Sequence, residues 1–247
     1  MSRFYVPKEK IDEARNIAVI DGEEAHHVVD VMRLKEPDKV VMFDGTGNEY
    51  TGFIKSVDKR SKNVTVEIVK AERPAPARVS EVTLVQAIPK KGKMDTIVEK
   101  ATELGAGKIK PVITARTVVR PDEAGINKKA ARWRKIAVVS AKQCGRADVP
   151  EVDEPASYGE VLGGIDEYDL VLVACLSGKT VPLKEAVGDF TSGRVMILVG
   201  PEGDFTPEEI SLASGSNVKH VSLGWRVLKS DTAGLFMLSV LGYELGI

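Results

Sequence analysis

Leu198-Val199-Gly200-Pro201-Glu202-Gly203 and Leu223-Gly224-Trp225-Arg226-Val227-Leu228-Lys229-Ser230-Asp231-Thr232-Ala233 decide how this chain is read. In each, a short run of strand type breaks at a glycine. The second stretch passes directly into a long apolar segment containing Leu235, Phe236, Met237, Leu238, Val240 and Leu241. Glycine opens backbone conformations closed to other residues and proline fixes φ, so Gly-Pro-Glu-Gly is a stiff corner that lets a ligand approach the main chain. Two such corners leaving the carboxyl ends of strands are how an open α/β sheet holds a ligand.

Outward from these corners the pattern alternates. Apolar runs predict strands over 81–87, 108–113, 169–175, 195–199 and 218–222, with helices over 93–104, 127–143, 182–187, 207–214 and 231–245. Thr206-Pro207-Glu208-Glu209 supplies an N-cap, a first-turn proline and a capping-box glutamate. Leu104-Gly105 supplies a glycine C-cap, and Ser230-Asp231 is placed to cap the last helix. Strand and helix in turn imply a mainly parallel sheet covered on both faces.

Upstream the character differs. Short strand-type segments at 4–6, 17–20, 39–43, 49–57 and 63–69 are broken by turns such as Asp44-Gly45 and Gly47-Asn48. One helix is predicted over 23–34, with Ala25, Val28, Val29 and Met32 as its apolar stripe. Ala71-Glu72-Arg73-Pro74-Ala75-Pro76-Ala77 reads as a linker. The expected division is therefore a small β-barrel over 1–72 and an α/β domain over 73–247.

The 247 residues suffice for a core with no staple, and the two cysteines, Cys144 and Cys175, show no paired spacing. A reduced, cytoplasmic protein is expected. The start, Met1-Ser2-Arg3-Phe4-Tyr5, lacks the apolar core of a secretory signal. The longest apolar run, Leu170 to Leu176, falls far short of the ~18 residues of a membrane span. Charge is balanced overall, 35 basic against 36 acidic, yet the segment Arg78 to Asp148 holds 16 basic and 7 acidic side chains. Such a block fits a polyanion surface, because Lys and Arg gain by releasing phosphate counterions; it fits equally a solvated helix face paired with carboxylates.

Several chemistries are excluded. Ser177-Gly178-Lys179-Thr180 follows a strand, but a phosphate loop needs glycine where Val173 stands. No Gly-x-Gly-x-x-Gly follows a strand, and no Gly-x-Ser-x-Gly elbow is present. His26 and His27 point about 100° apart on a helix and His220 stands alone, so no metal site is expected. Gly200-Pro201-Glu202-Gly203 also reads as a tight strand-to-helix connection; if the two corners do grip a ligand, the lack of a phosphate signature favours one held through an adenine edge, a ribose and an amino-acid moiety. S-adenosylmethionine fits.

With these residues in view, the chain resembles the trefoil-knotted SPOUT methyltransferases, and within them the RsmE-type 16S ribosomal RNA uridine-N3 methyltransferases. Residues 198–203 and 223–233 look like the class's second and third cofactor motifs. The likeness also runs through Arg3-Phe4-Tyr5-Val6, Glu24-Ala25-His26-His27-Val28, Val31-Met32-Arg33 and Phe43-Asp44-Gly45-Thr46-Gly47. It continues in Lys90-Lys91-Gly92-Lys93-Met94-Asp95, Glu99-Lys100-Ala101-Thr102-Glu103-Leu104-Gly105, Arg132-Trp133 and Gln143-Cys144-Gly145-Arg146. The chain departs from the family at Lys142 and at Asp231, where it usually has glutamate.

The resemblance implies a knotted α/β methyltransferase domain preceded by a small PUA-like RNA-binding β-barrel, paired as a homodimer. It implies methyl transfer from S-adenosylmethionine to N3 of a uridine in 16S ribosomal RNA of the small subunit. The alternatives are another RNA target, such as tRNA or a different ribosomal site, and a non-catalytic RNA-binding assembly factor. Leu176, Leu198, Val199, Gly200, Pro201, Glu202, Gly203, Leu223, Gly224, Val227, Leu228, Thr232 and Ala233 are the implied cofactor residues. Arg226 and Asp231 are the candidates for acting on the uracil, with Glu202 a second nearby carboxylate; Asp231 and Glu202 each have a helix-capping reading as well. Arg3, Phe4, His26, Arg33, Lys90, Lys91, Lys93, Arg116, Arg120 and Arg146 are the expected RNA contacts, and no metal or membrane is expected.

Overall fold

The computed structural model describes residues 3–58, 62–74, 80–90, 92–120 and 122–246. Lys91 and part of the expected linker, residues 75–77, lie outside them. The chain forms two compact units. The first is Met1–Ala77 with Ala141–Val149; the second is Arg78–Ser140 with Pro150–Ile247.

The first unit is a six-stranded sheet built from β1 (Arg3–Tyr5), β2 (Ile11–Asp12), β3 (Ile17–Ile20), β4 (Lys39–Phe43), β5 (Glu49–Asp58) and β6 (Asn63–Glu72). Its order is β1-β4-β5-β6-β3-β2. Only β1 and β4 run parallel; every other pair is antiparallel. Ala71 and Glu72, expected in the linker, instead complete β6 opposite Tyr50 and Glu49. Period-two alternation sends Phe4, Ala18, Ile20, Met42, Tyr50, Ile54, Val64 and Val66 into one core, so the sheet curls around a single apolar interior. Gly52 lies so close to the Glu67 carbonyl that any Cβ there would collide with the neighbouring strand. The helix expected over 23–34 is shorter: α1 (Gly22–His26) runs into a π-helical turn, His27–Val31.

The turn after β4 is organised by the buried Asp44. Its carboxylate accepts hydrogen bonds from Thr46 N at 2.8 Å, Thr46 Oγ1 at 2.9 Å and Asn48 Nδ2 at 2.8 Å. Burial alone would raise the Asp44 pKa, but the combined donors from Asn48 and Thr46 outweigh it and hold the pKa below the usual aspartate value. The segment 141–149 belongs to this unit: Gly47 N donates to Ala147 O at 3.1 Å, and Val149 N donates to Gly45 O at 2.9 Å. Phe43, Ala141 and Ala147 bury one another there, with Tyr5 and Val149 packed alongside. Lys142 pairs with Glu24 at 2.8 Å and stands 5.2 Å above the Phe4 ring.

The second unit holds β7 (Ser80–Ala87), β8 (Lys108–Ile113), β9 (Glu151–Val152), β10 (Ala156–Ser157), β11 (Leu170–Ala174), β12 (Val181–Pro182), β13 (Gly193–Val199) and β14 (Val218–Ser222). Every pairing in this sheet is parallel, in the order β10-β8-β7-β13-β11-β14-β12, with β9 beside β8. The helices are α2 (Met94–Glu103), α3 (Glu123–Cys144), α4 (Tyr158–Leu162), α5 (Leu183–Val187), α6 (Pro207–Leu212) and α7 (Ser230–Leu245). In β13, Val195, Met196, Ile197, Leu198 and Val199 are all buried, as a sheet covered on both faces requires. After β14 enters between β11 and β12, the chain returns to lay α7 against β7, β13 and α2. No helix among the described residues is long and apolar enough to cross a membrane.

Candidate functional site

Three loops at the carboxyl ends of β11, β13 and β14 enclose a cavity of about 420 Å³. The 176–180 loop contributes Leu176 and Thr180, the 200–204 loop contributes Gly200, Pro201, Glu202 and Asp204, and the 223–229 loop forms the third wall. Ser230 and Ala233, at the start of α7, line it too. The volume lies within the ~300–1,000 Å³ of ordinary cofactor pockets.

Local chemistry fixes the three walls. A Cβ on Gly200 would stand 3.1 Å from Phe205 N and 3.3 Å from Asp204 Cα, so the first corner closes this tightly only with glycine. Asp204 adopts φ +60° and accepts a hydrogen bond from Leu176 N at 2.9 Å, tying the first two loops together. Glu202 accepts from Lys90 N at 3.0 Å. Glu209 completes the capping box with Thr206 and also accepts from Ala115 N at 2.7 Å. Burial, with the Asp204 carboxylate nearby, pushes the Cys175 thiol up to about 12, so it behaves as an apolar wall.

The third wall differs from the sequence reading. Gly224 takes φ +112°, but open space surrounds it, so its glycine is required by conformation and not by a close approach. Neither Ser230 nor Asp231 caps α7 through its side chain; the N-cap is Lys229. Ser230 Oγ instead donates to Gly200 O at 2.5 Å and accepts from Gln86 Nε2 at 2.9 Å. Asp231 pairs with Lys93 at 3.0 Å. Glu202 does not cap a helix either. The cause is the same in each case: an acceptor or donor from another element wins over the local backbone.

Of the expected cofactor residues, Leu176, Val199, Gly200, Pro201, Glu202, Leu223, Gly224, Val227, Leu228 and Ala233 line the cavity, and so does Arg226. Leu198, Gly203, Thr232 and Asp231 do not. Leu198 points into the sheet core, and the Gly203 carbonyl is taken by Arg116 Nη1 at 2.6 Å. Thr180, Asp204, Trp225 and Lys229 line the cavity as well, outside the expected set. Along the sequence Thr180 stands out only as part of a phosphate-loop lookalike. Trp225 is 86% exposed, with the Arg226 guanidinium 4.3 Å above its ring.

The expected RNA contacts divide sharply. Phe4 is fully buried in the first unit's core, 5.7 Å from the His27 ring, and cannot reach a ligand: in β1 the even position points inward. Arg3 is ion-paired to Glu49 at 2.7 Å with 14% of its side chain exposed, and Arg146 pairs with Asp148 at 2.7 Å with 11% exposed. His26 is exposed and bonded to Asp30 at 2.6 Å, and Arg33 is exposed. In the second unit Lys90 is exposed, while Lys93 is engaged by Asp231. Arg116 and Arg120 are exposed at the residue level, but their guanidinium groups hold carbonyls of Gly203 and Phe205, and of Ala115 and Thr117.

A family model described as an RNA methyltransferase domain matches residues 76–242, and one described as an RNA methyltransferase PUA domain matches 20–67. A Bacillus subtilis protein named ribosomal RNA small subunit methyltransferase E is 32% identical, covering 99% of this chain and 97% of its own length. A crystal structure of a Neisseria gonorrhoeae protein of that name, bound to S-adenosyl methionine, superposes with a TM-score of 0.83 at 27% identity, covering 99% and 98% of the two chains. A Legionella pneumophila structure described as a methyltransferase with the bound cofactor SAM gives a TM-score of 0.82 at 31% identity, covering 98% and 96%.

Proposed function

Because this chain belongs to the RNA methyltransferase family, among the ribosomal RNA small subunit methyltransferases E, we propose that it methylates N3 of a uridine in 16S ribosomal RNA. The observation that carries the proposal is the cavity between the Gly200 and Gly224 corners, in a chain of that family. S-adenosylmethionine, when bound, supplies a methyl group activated by a sulfonium. The residues fit it. Leu176, Val199, Val227 and Leu228 offer apolar contact to an adenine, main-chain groups around Gly200 offer edge hydrogen bonds, and the cations Arg226 and Lys229 share the lining with the carboxylates Glu202 and Asp204.

The chain's own part is to orient and to handle charge. N3 lies on the pairing edge of uracil, so the base must leave its stack to be reached. Alignment of N3 with the methyl carbon accounts for much of the rate. Arg226, at the cavity wall, stabilises the negative charge that grows on the uracil oxygens as N3 loses its proton. Asp231, partly exposed at the foot of the same loop, is assigned to accept that proton. With the cofactor held between the Gly200 and Gly224 corners, these residues would keep the deprotonated N3 where the sulfonium methyl is supplied.

His26, Arg33 and Lys90 are the exposed cations and imidazole left to meet RNA phosphates. The protein acts in the cytoplasm and pairs as a homodimer, with the apolar side of α7 turned away from the sheet as the contact. Phe236 and Tyr243 are 40% and 87% exposed there.

The test is methyl transfer from labelled cofactor to small ribosomal subunits that lack the modification, followed by nucleoside analysis. N3-methyluridine is expected. Label on another base, on tRNA instead, or on no RNA overturns the proposal.

A further inference from the structure

The two cofactor corners are joined beneath the cavity by a buried relay. Gln86, fully buried at the carboxyl end of β7, lies opposite Val199 in the strand register. Its Nε2 donates to Ala87 O at 3.2 Å and to Ser230 Oγ at 2.9 Å. The contact to a carbonyl fixes the amide orientation, since the reversed amide would set oxygen against oxygen. Ser230 must therefore accept from Gln86, and its single proton is directed to Gly200 O at 2.5 Å. Ser230 ends the 223–229 loop and Gly200 begins the 200–204 loop, so one hydroxyl stands at the root of both.

Space for the relay comes from Gly234, one turn into α7. A Cβ there would stand 2.9 Å from Gln86 Oε1 and 3.2 Å from Leu84 Cδ1. Glycine inside a helix costs about 1 kcal/mol relative to alanine, and here it lets α7 rest directly on β7. Gln86 Oε1 itself is buried with no hydrogen-bond partner. Retaining an amide at such a position is costly unless its donor side has work to do.

We propose that Gln86 and Ser230 are a positioning pair that sets the separation of the two corners, and hence the fit of the cofactor. The proposal rests on the cavity being the S-adenosylmethionine site. Neither side chain is assigned to the reacting atoms: Gln86, outside the cavity lining, acts through Ser230, which lines the cavity and holds Gly200.

The experiment compares wild-type protein with Gln86→Met, which keeps the volume, with Ser230→Ala, and with the double variant. S-adenosylmethionine affinity is measured by calorimetry, single-turnover transfer at saturating cofactor on small ribosomal subunits, and the thermal midpoint separately. Each single change is expected to raise Kd about tenfold, or ~1.4 kcal/mol, and to slow transfer even at saturation. The double variant should be no worse than the worse single, because both remove one relay. Wild-type affinity and saturating rate in both singles overturn the pair, as do effects that simply add, or a lowered thermal midpoint with unchanged binding. A wild-type protein that does not bind S-adenosylmethionine removes the cavity reading, and the pair with it.

Discussion

The ammonium of Lys93 meets the carboxylate of Asp231 at 3.0 Å, joining the residue that precedes α2 to the first turn of α7. Each side chain is about one-third exposed, 34% and 31%. Solvent screening keeps such a pair to about 1 kcal/mol of stability at most. Its importance is positional: it holds the proposed proton acceptor beside the cavity.

Asp231→Asn is expected to lower single-turnover methyl transfer by about 10²–10⁴, the range of a lost general base, while cofactor affinity stays within about threefold. Lys93→Ala should slow transfer less. The double variant should match Asp231→Asn, because the lysine acts through the carboxylate. Transfer by Asp231→Asn at the wild-type rate would remove the aspartate from the chemistry.

Gly200→Val and Gly224→Val should fail in different ways. At Gly200 a side chain meets the backbone of Asp204 and Phe205, so S-adenosylmethionine binding should be lost in calorimetry. At Gly224 there is room, and the penalty is the strain of φ +112°, about 1–3 kcal/mol. Binding there should weaken by roughly ten- to a hundredfold and not disappear. The reverse ranking would mean that the third wall, not the first, makes the closer contact.

Arg116 and Lys90 separate loop support from RNA contact. Arg116→Ala removes bonds to the Gly203 and Phe205 carbonyls, so it should weaken cofactor binding and leave the salt dependence of RNA binding unchanged. Lys90→Ala should flatten the log–log salt slope by about 0.7 if it contacts one phosphate of single-stranded RNA. Fluorescence titrations with an RNA fragment across salt concentrations read both.

Acid should expose the role of Asp44. Its folded pKa lies below the unfolded value near 3.8, so its contribution is fully present above that value and is lost as pH falls through the lower, folded pKa. Asp44→Ala should cost on the order of 2 kcal/mol at neutral pH. The gap to wild type should close on acidification through that window, as followed by denaturant unfolding at each pH. A gap that is constant down to pH 2 would mean that packing, not the carboxylate, is responsible.

Replacing Phe236 and Tyr243 together by aspartate should yield a monomer in light scattering, if the free side of α7 is the dimer contact. An unchanged oligomeric mass would place the contact elsewhere.

Much of this was legible along the chain because period and punctuation are local. β4, β8 and β14 begin and end where the apolar runs do, and the Thr206 capping box forms as its four residues dictate. What escaped depends on partners distant in sequence. Ser230 reads as a cap until Gly200 arrives, thirty residues away, as a better acceptor. Arg116 reads as a phosphate ligand until the Gly203 carbonyl claims it. Phe4 is the exception: strand alternation already turned it inward, and only its resemblance to an RNA-facing opening obscured that. The two-residue strands β2, β9, β10 and β12 carry too little pattern to be seen alone.

The return of residues 141–149 to the first unit has a consequence for how the protein is made. A ribosome releases residues 1–77 long before it reaches Ala147 and Val149, which receive and give the main-chain bonds at Gly47 and Gly45. Until then Phe43 lacks Ala141 and Ala147 as neighbours. The amino-terminal unit is therefore the first to emerge but not the first that can be finished, and a fragment cut after residue 72 would carry an open apolar seam.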